Sequence, residues 1–159
     1  MKKIFLTLLL AATLLLSACS SPGANPPSID FTSSTEGSVI EIKERFFITR
    51  LNDIYLNKEK YIGRTIKLEG IFGNDYWEAD DKRYFSVYRN GPGCCFNDSQ
   101  AGIEVIYPES TDIPYPENNA WVEAIGVLEE YQEDGATYLR LRLDRLEEKQ
   151  DRGAETVTN

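Results

Sequence analysis

The sequence predicts a mainly β protein: a five-stranded, OB-like Greek-key barrel with one short N-terminal helix. Two observations favour this fold class. Five strand-like segments fall into a group of three and a group of two, separated by a proline-rich loop. Gly70 and Gly126 lie near the middle of two of these strands, where strongly coiled barrel strands need glycine. A β-sandwich is the alternative fold for the same strand pattern.

The first residues, MKKIFLTLLLAATLLLSAC, have the pattern of a secretory signal. Two lysines precede an apolar run over residues 4–16, which is too short to span a membrane. Leu16-Ser17-Ala18-Cys19 resembles the bacterial lipobox, in which the cysteine is lipidated and becomes the new N-terminus. We therefore expect a lipoprotein signal peptide over residues 1–18 and a lipid on Cys19. An ordinary cleaved signal is the alternative.

The remaining chain divides into a tether, one domain and a tail. Residues 19–38 are rich in Ser, Pro, Gly and Thr, which predicts a flexible tether after the lipidated cysteine. Residues 39–147 carry the periodic apolar pattern and form the OB-like domain, and the polar residues 148–159 are expected to be a disordered tail. Together these features predict a protein on the extracytoplasmic face of the cell membrane, held by its lipid anchor.

Composition excludes several functions. The formal charge is -9 over 159 residues, and removal of the signal, which has two lysines and no acids, leaves -11. Nucleic acid is therefore not an expected partner, since its phosphates attract basic surfaces. The sequence contains no histidine, which rules out histidine-dependent nucleophilic catalysis and imidazole metal ligation. Paired acids such as Glu129-Glu130 face apart on a strand, so the chain is not expected to be an enzyme.

The domain begins with an edge strand over residues 39–42. Phe47, Leu51, Ile54 and Tyr55 then recur at the spacing of one helical face, which predicts a helix of about three turns packed on the barrel end. In a typical OB barrel a helix joins the third and fourth strands, where this chain has a proline-rich loop. We expect the N-terminal helix to plug the barrel instead.

Alternating apolar and polar residues predict the barrel strands. The predicted strands are residues 65–72, 84–89, 103–107, 121–131 and 137–146. Residues 73–82 and 108–119 are predicted loops, the second because of its three prolines. Glu133-Asp134-Gly135 is typical of a tight hairpin turn between the last two strands.

Cys94 and Cys95 follow the turn-forming Gly91-Pro92-Gly93 between the second and third strands, and Asp98 lies three residues after Cys95. Adjacent strand residues point to opposite faces, so only a turn can aim both sulfurs at one place. Thiolates favour zinc or copper(I), which makes these three residues a candidate metal site. A closed site needs a further ligand, for which Glu78, Asp80 or a partner protein are candidates.

Two other interpretations of the cysteine pair remain open. Exported proteins meet oxidising conditions, in which the pair could form a strained, reducible disulfide and serve a thiol-redox function. Alternatively, one cysteine fills the core and neither has a chemical role. The acidic loop at 73–82 also invites a calcium interpretation, but its spacing does not match an EF-hand and favours a solvated hairpin loop.

Aromatic side chains on the barrel surface are a further candidate binding feature. Tyr84, Tyr88, Trp121 and Tyr138 fall on predicted strands, and OB barrels use such rings to stack on ligands. The acidic charge favours an oligosaccharide or a peptide over nucleic acid. For many of these residues, a position in the core or at the barrel rim is the favoured alternative.

Three groups of residues carry a family resemblance. These are Tyr61-Ile62-Gly63 with residues 67–70, Cys94-Cys95 with Asp98, and Trp121-Val122 with Gly126. The region over residues 39–146 resembles an uncharacterised bacterial domain, the extracytoplasmic OB-like part of the smaller subunit of predicted two-component permeases. Family members often have alanine where this chain has Asn97, and membrane helices where it has a lipid anchor. The resemblance implies a permease partner in the membrane.

These observations predict a lipid-anchored binding or accessory module, linked to a membrane transporter and to metal handling through Cys94, Cys95 and Asp98. A thiol-redox lipoprotein and an oligosaccharide- or peptide-binding module with structural cysteines are the alternatives.

Overall fold

The computed structural model describes residues 37–91 and 99–158 of the chain. Its elements are β1 (Ile40–Ile42), α1 (Phe47–Leu56), β2 (Thr65–Trp77), β3 (Lys82–Gly91), β4 (Ser99–Ile106), β5 (Trp121–Glu133) and β6 (Ala136–Glu148). Short 3-10 turns over Glu44–Phe46 and Lys58–Lys60 flank α1. Among the described residues, no helix has the length and apolar character required to cross a membrane.

Strands β2 to β6 form a closed barrel. Their order around it is β2-β3-β4-β6-β5, and β5 pairs with β2 to complete the circle. All of these pairs are antiparallel except β4 with β6, which run parallel from the pair Glu104 and Arg140 to the pair Ile106 and Arg142. This order, with its single parallel pair, is the Greek-key arrangement of an OB barrel. The predicted fold class is therefore confirmed.

Strand β2 serves two neighbours in succession. Its first half pairs with β5, its second half pairs with β3, and Ile71 takes part in both ladders. The strand must coil to do this, and Gly70 lies at the change of partner. A Cβ atom built on Gly70 would lie 2.6 Å from the carbonyl oxygen of Tyr88, so only glycine allows this close approach.

Gly126 has the same role in β5. It lies at a register shift between β5 and β6, and a Cβ atom there would lie 2.5 Å from the carbonyl oxygen of Arg142. The predicted significance of both mid-strand glycines is thus confirmed. The predicted β5–β6 hairpin is also present, with Asp134 and Gly135 both at positive φ (49° and 79°), as a type I′ turn requires.

The N-terminal residues add to the barrel from outside and fill it from one end. Strand β1 pairs in parallel with the start of β2. Helix α1 buries Phe47, Leu51 and Ile54 in the core, while the Tyr55 hydroxyl donates a hydrogen bond to the carbonyl of Gly102 on β4 (3.1 Å). Residues 107–120 contain neither helix nor strand. As predicted, a helix from before the first barrel strand therefore contributes to the barrel core.

The hydrophobic core joins α1 to the inward faces of all six strands. Its largest fully buried apolar side chains include Tyr61, Phe47, Phe72, Ile54, Ile66, Leu68, Ile103, Leu128, Leu141, Leu143 and Leu146. The leucines of β6 alternate inward with outward-facing arginines, as the sequence predicted. Burial of this apolar surface is the main stabilising contribution to the fold.

The β2–β3 hairpin is longer than predicted. Residues 73–82 were expected to form a polar loop, but β2 continues to Trp77 and pairs with β3 as far as Lys82, which leaves a turn at residues 78–81. Asp81 adopts positive φ (53°) in this turn, and the Tyr76 hydroxyl donates to its carboxylate (2.6 Å). Cross-strand pairing therefore extends the hairpin despite its polar composition.

The segment around Val157 packs on the barrel, within the residues 148–159 for which the sequence predicted a disordered tail. Val157 is buried, and its amide donates to the carbonyl of Asn90 (2.9 Å), while the Asn90 amide donates to the carbonyl of Glu155 (2.8 Å). A parallel bridge between Asn90 and Thr156 extends β3 at this point. The buried Val157 side chain and these backbone hydrogen bonds together dock the segment on β3, beyond the last β2–β3 pair at Ile71 and Tyr88.

Candidate functional site

The β3–β4 hairpin carries the loop in which the sequence placed the candidate metal ligands. Its two strands stay paired to their ends, where Gly91 lies opposite Ser99 and Asn90 lies opposite Gln100. Seven residues, 92–98, connect Gly91 to Ser99. The candidate ligands Cys94, Cys95 and Asp98 are among them and lie outside the described residues, as does the lipidation candidate Cys19. The structure defines the support of this loop, which is the paired end of β3 and β4 at Gly91 and Ser99.

A buried arginine lies directly beneath this support. The Arg89 side chain is 3% exposed, and it donates from Nε to the carbonyl of Glu69 (2.9 Å) and from Nη1 to a carboxylate oxygen of Glu44 (3.0 Å) and the carbonyl of Ala154 (2.9 Å). Since a buried charge is costly unless it is paired and hydrogen-bonded, this network is what allows Arg89 inside the barrel.

Two aromatic rings complete the surroundings of Arg89. Its guanidinium carbon lies 4.9 Å from the centroid of the Phe47 ring and 4.7 Å from that of Trp121, within the range of cation–π contacts. Trp121 is only 2% exposed. Its suggested role as a ligand-stacking ring on the barrel surface is therefore wrong, and Trp121 is a core residue that contacts Arg89.

Glu44 links the N-terminal and C-terminal parts of the domain at the same place. Its carboxylate accepts hydrogen bonds from Arg89 and from the backbone amide of Ala154 (2.8 Å). The Ala154 amide and then the Arg89 guanidinium lower the pKa of Glu44 below its ordinary value. The carboxylate is therefore ionised at neutral pH and holds the C-terminal segment against β3, next to the end of β3 at Gly91.

The additional metal ligands suggested by the sequence, Glu78 and Asp80, lie at the opposite end of β3 from the cysteine segment. Glu78 and Asp80 are exposed in the turn before β3, whereas the cysteine loop begins after Gly91. The ten residues of β3 separate these ends by roughly 30 Å at the usual rise per strand residue. Glu78 and Asp80 are therefore far from Gly91, the last described residue before the cysteine segment. Within residues 37–91 and 99–158, no group of three Cys, Asp or Glu side chains is arranged to hold a metal ion.

The structure also reveals a groove that the sequence did not predict as a unit. It is a cavity with a volume of about 490 Å³. Small-ligand sites typically have volumes of about 300–1,000 Å³. It lies on β3, β4 and β6, under the end of the β5–β6 hairpin. We call it the tyrosine groove after four of its lining residues, which are Tyr84, Tyr107, Tyr115 and Tyr131. Of the four surface aromatics singled out from the sequence, only Tyr84 lines it.

Side chains from β5 reach across this groove to β4 and β3. The Tyr131 hydroxyl donates to Glu104 on β4, and the Tyr84 hydroxyl on β3 donates to both carboxylate oxygens of Glu133 (3.2 Å each). Lys82 forms an ion pair with the same Glu133. These contacts hold the β5–β6 hairpin over the outer face of β3 and β4, so the groove has a defined shape.

Two of the three carboxylates that line the groove, Glu104 and Glu133, differ in their electrostatics. Burial raises the pKa of Glu104, although the hydrogen bond from Tyr131 acts in the opposite direction. The hydrogen bond from Lys82 lowers the pKa of Glu133. The pKa of Tyr131 is raised as well, by burial and then by its hydrogen bond to Glu104, so this hydroxyl stays protonated and can donate a hydrogen bond.

The other aromatic candidates occupy different places. Tyr88 is partly buried beside Gly73, where a Cβ atom would lie 3.2 Å from its ring. Tyr138 is about half exposed and lies outside the groove, with its ring centroid 5.6 Å from that of Tyr131. The groove also includes Tyr107, at the end of the predicted strand 103–107, and Tyr115 from the proline-rich connection. No sequence periodicity pointed to Tyr115, because that connection has no regular structure.

Comparison with known proteins gives one clear result for this chain. Residues 30–153 match the DUF1980 C-terminal domain, an uncharacterised family, and this region includes the whole barrel. No curated protein matches the chain. Because the match spans more than half of the sequence, the chain belongs to the DUF1980 C-terminal domain family.

Proposed function

We propose that this protein is a lipid-anchored, extracytoplasmic binding module that serves a membrane transporter and handles a soft metal ion, zinc or copper(I), through Cys94, Cys95 and Asp98. The membrane location is supported by the signal-like N-terminus and by Cys19 at the lipobox position. The link to a transporter is supported by the resemblance of residues 39–146 to the extracytoplasmic domain of predicted permease subunits.

One observation carries the metal proposal: the β3–β4 hairpin stays paired up to Gly91 and Ser99 on either side of the seven residues that contain all three candidate ligands. Below that pair, Arg89 and the C-terminal segment brace β3 through hydrogen bonds. A loop that is fixed at both ends loses less conformational entropy when it binds a metal ion. Thiolates are the ligands that zinc and copper(I) prefer.

A site with two thiolates and one carboxylate has three ligands from this chain, which leaves one tetrahedral position for a partner group. Because Glu78 and Asp80 lie at the opposite end of β3, we assign the fourth ligand to a partner protein. An incomplete site of this kind suits a protein that passes its ion to a transporter, since the partner can supply the missing ligand.

The test uses the mature lipoprotein, solubilised in detergent and purified under reducing conditions. Native mass spectrometry and thiol counting are performed before and after addition of zinc or copper(I). We expect one bound ion that protects two thiols, and loss of that ion in Cys94→Ser, Cys95→Ser and Asp98→Ala. Cys19→Ala is expected to abolish lipid attachment during synthesis.

The other outcomes are distinct. A protein that binds no metal but loses two hydrogens on mild oxidation, reversibly and only with both cysteines present, would replace the metal proposal with the thiol-redox alternative. Two unreactive thiols without metal would make the cysteines structural. For the transporter link, we expect crosslinking in intact cells to join the lipoprotein to a polytopic membrane protein; crosslinks to soluble proteins alone would contradict it.

A further inference from the structure

We propose that the tyrosine groove is a second binding site, independent of the cysteine loop, and that its ligand is an uncharged oligosaccharide. The groove is lined by residues at the start of β3 and the end of β4, the second and third strands of the barrel, together with Tyr115 and residues of the β5–β6 hairpin. Its volume of about 490 Å³ is within the range of small-ligand sites.

The aromatic rings provide the first argument. Tyr107 and Tyr115 stack with their ring centroids 4.1 Å apart and their planes at 24°, and Phe85 contacts both rings at 5.3 and 5.5 Å. Tyr115 nevertheless remains 63% exposed. A ring that is supported on one side and open to solvent on the other is a flat, rigid platform, on which the apolar C–H face of a sugar can pack.

The charges provide the second argument. Three basic groups and three acidic groups line the groove, so its formal charge is zero, in a chain whose overall charge is -9. The charged groups are Lys82, Arg83, Arg140, Asp81, Glu104 and Glu133. Several of them are already paired, Lys82 with Glu133 and Arg140 with Glu129 at 2.8 Å. A charged ligand would have to break these pairs, whereas an uncharged ligand would not.

The hydrogen-bonding groups provide the third argument. Carboxylates accept hydrogen bonds from sugar hydroxyls, arginine donates to them, and tyrosine hydroxyls do both. Glu104, Arg140 and Tyr131 place all three types together, with the Arg140 guanidinium carbon 4.5 Å from the Tyr131 ring centroid. A ligand with many hydroxyls can bond to such a mixed set without carrying charge.

The experiment titrates the full mature lipoprotein in detergent with three uncharged probes, maltohexaose, cellohexaose and chitohexaose, and measures binding by isothermal titration calorimetry. At least one probe should bind. Tyr115→Ala should weaken that binding at least fivefold, while Tyr115→Phe, which retains the ring, should stay within twofold. Trp77→Ala is the matched control, because Trp77 is also an exposed aromatic residue (61%) and lies outside the groove.

The outcomes separate this proposal from the metal proposal. Cys94→Ser should leave oligosaccharide binding unchanged, so either site can fail without the other. Absence of binding for all three probes at millimolar concentration would overturn the proposal. Binding that Tyr115→Ala leaves intact would also overturn it, as would preference for a basic peptide or an oligouronate of equal length.

Discussion

The guanidinium carbon of Arg89 lies 4.7 Å from the centroid of the Trp121 ring, inside the end of the barrel that supports the cysteine loop. Neither residue would be assigned to this position from its own chemistry, since arginine is rarely buried and tryptophan on a barrel strand is often a surface ring. Each makes the burial of the other favourable: the ring receives the cation, and the cation covers the ring.

Arg89→Met is expected to lower the free energy of unfolding by about 3 kcal/mol. Methionine restores most of the volume but leaves the carbonyls of Glu69 and Ala154 without their donor and Glu44 without its ion pair. Urea denaturation followed by circular dichroism measures the change. Arg142→Met is the matched control, because Arg142 is exposed and forms its ion pair with Glu129 on the barrel surface (3.5 Å), so its loss should cost less than about 1 kcal/mol. Equal stability losses in the two variants would contradict this account of Arg89.

Val157→Ala is expected to destabilise the docked C-terminal segment by roughly 1–2 kcal/mol, because it removes buried methyl groups. The Asn90 amide, which donates to Glu155, should then exchange its hydrogen faster with solvent, since local opening of the segment exposes it. Hydrogen exchange measured by NMR tests this. Thr158→Ala, at an exposed position, should leave the Asn90 amide unaffected. Unchanged exchange in Val157→Ala would mean that the segment is not held by this side chain.

Gly126→Ala is expected to cost about 1–3 kcal/mol, because the new methyl group would approach the carbonyl of Arg142 within 2.5 Å and force the β5–β6 ladder to shift. Gly135→Asn is the comparison, since Gly135 has positive φ but nothing within 4 Å of an added Cβ, and asparagine tolerates that backbone conformation. Thermal melts of both variants should show a clear decrease in Tm for the first alone. A similar decrease in both would locate the requirement in backbone flexibility rather than in close packing.

Stability should depend on pH through Glu123, which is buried and bonded to Lys67 (2.8 Å) and Arg145 (3.1 Å). The hydrogen bond from Lys67 lowers the pKa of Glu123 in the folded protein below its unfolded value of about 4.3. Its stabilising contribution is therefore complete at neutral pH and is lost as the pH falls through the folded pKa. We expect Glu123→Gln to be less stable than the original protein by roughly 1–3 kcal/mol at pH 7, and the difference to shrink below pH 4.

Glu104 should show the opposite sign. Burial raises its pKa in the folded protein, so folding favours the protonated form, and the carboxylate reduces stability at neutral pH. Glu104→Gln should therefore be more stable than the original protein at pH 7. This gain in the free energy of unfolding should diminish as the pH falls towards the unfolded pKa. Urea denaturation at several pH values measures both variants. The same sign of pH dependence for the two substitutions would contradict the assigned environments.

The sequence predicted those parts of the fold that depend on local patterns. The helical spacing of Phe47, Leu51 and Ile54, the alternation of leucine and arginine in β6, and the Asp134-Gly135 turn each rest on neighbouring residues, and all three are confirmed. The barrel itself followed from the grouping of strands around the proline-rich loop. Mid-strand Gly70 and Gly126 indicated the positions at which a strand must coil or approach its neighbour closely.

What the sequence missed depends on contacts between distant residues. Arg89 lies two residues after Val87 and on the same inward face of β3. A charged residue at such a position can be assigned to the interior only when its partners, here Glu44 and Ala154, are known. The docking of Val157 and the assembly of the tyrosine groove are of the same kind. Of the candidate site residues, Tyr84 lines the tyrosine groove and Trp121 is buried in the core. The roles of Cys94, Cys95 and Asp98 remain predictions.

The hydrogen bond from the Ala154 amide to Glu44 joins residues 110 positions apart, and it constrains the order in which the domain can assemble. The chain emerges from the ribosome with its N-terminus first, so Glu44, α1 and β2 are made long before β5 and the residues around Val157. Contacts of such large sequence separation form slowly, because a long loop must close before they contribute. The barrel can therefore reach its final core only after β6 and the residues around Val157 have been released, and until then the apolar face of α1 and the edges of β2 need protection from other chains.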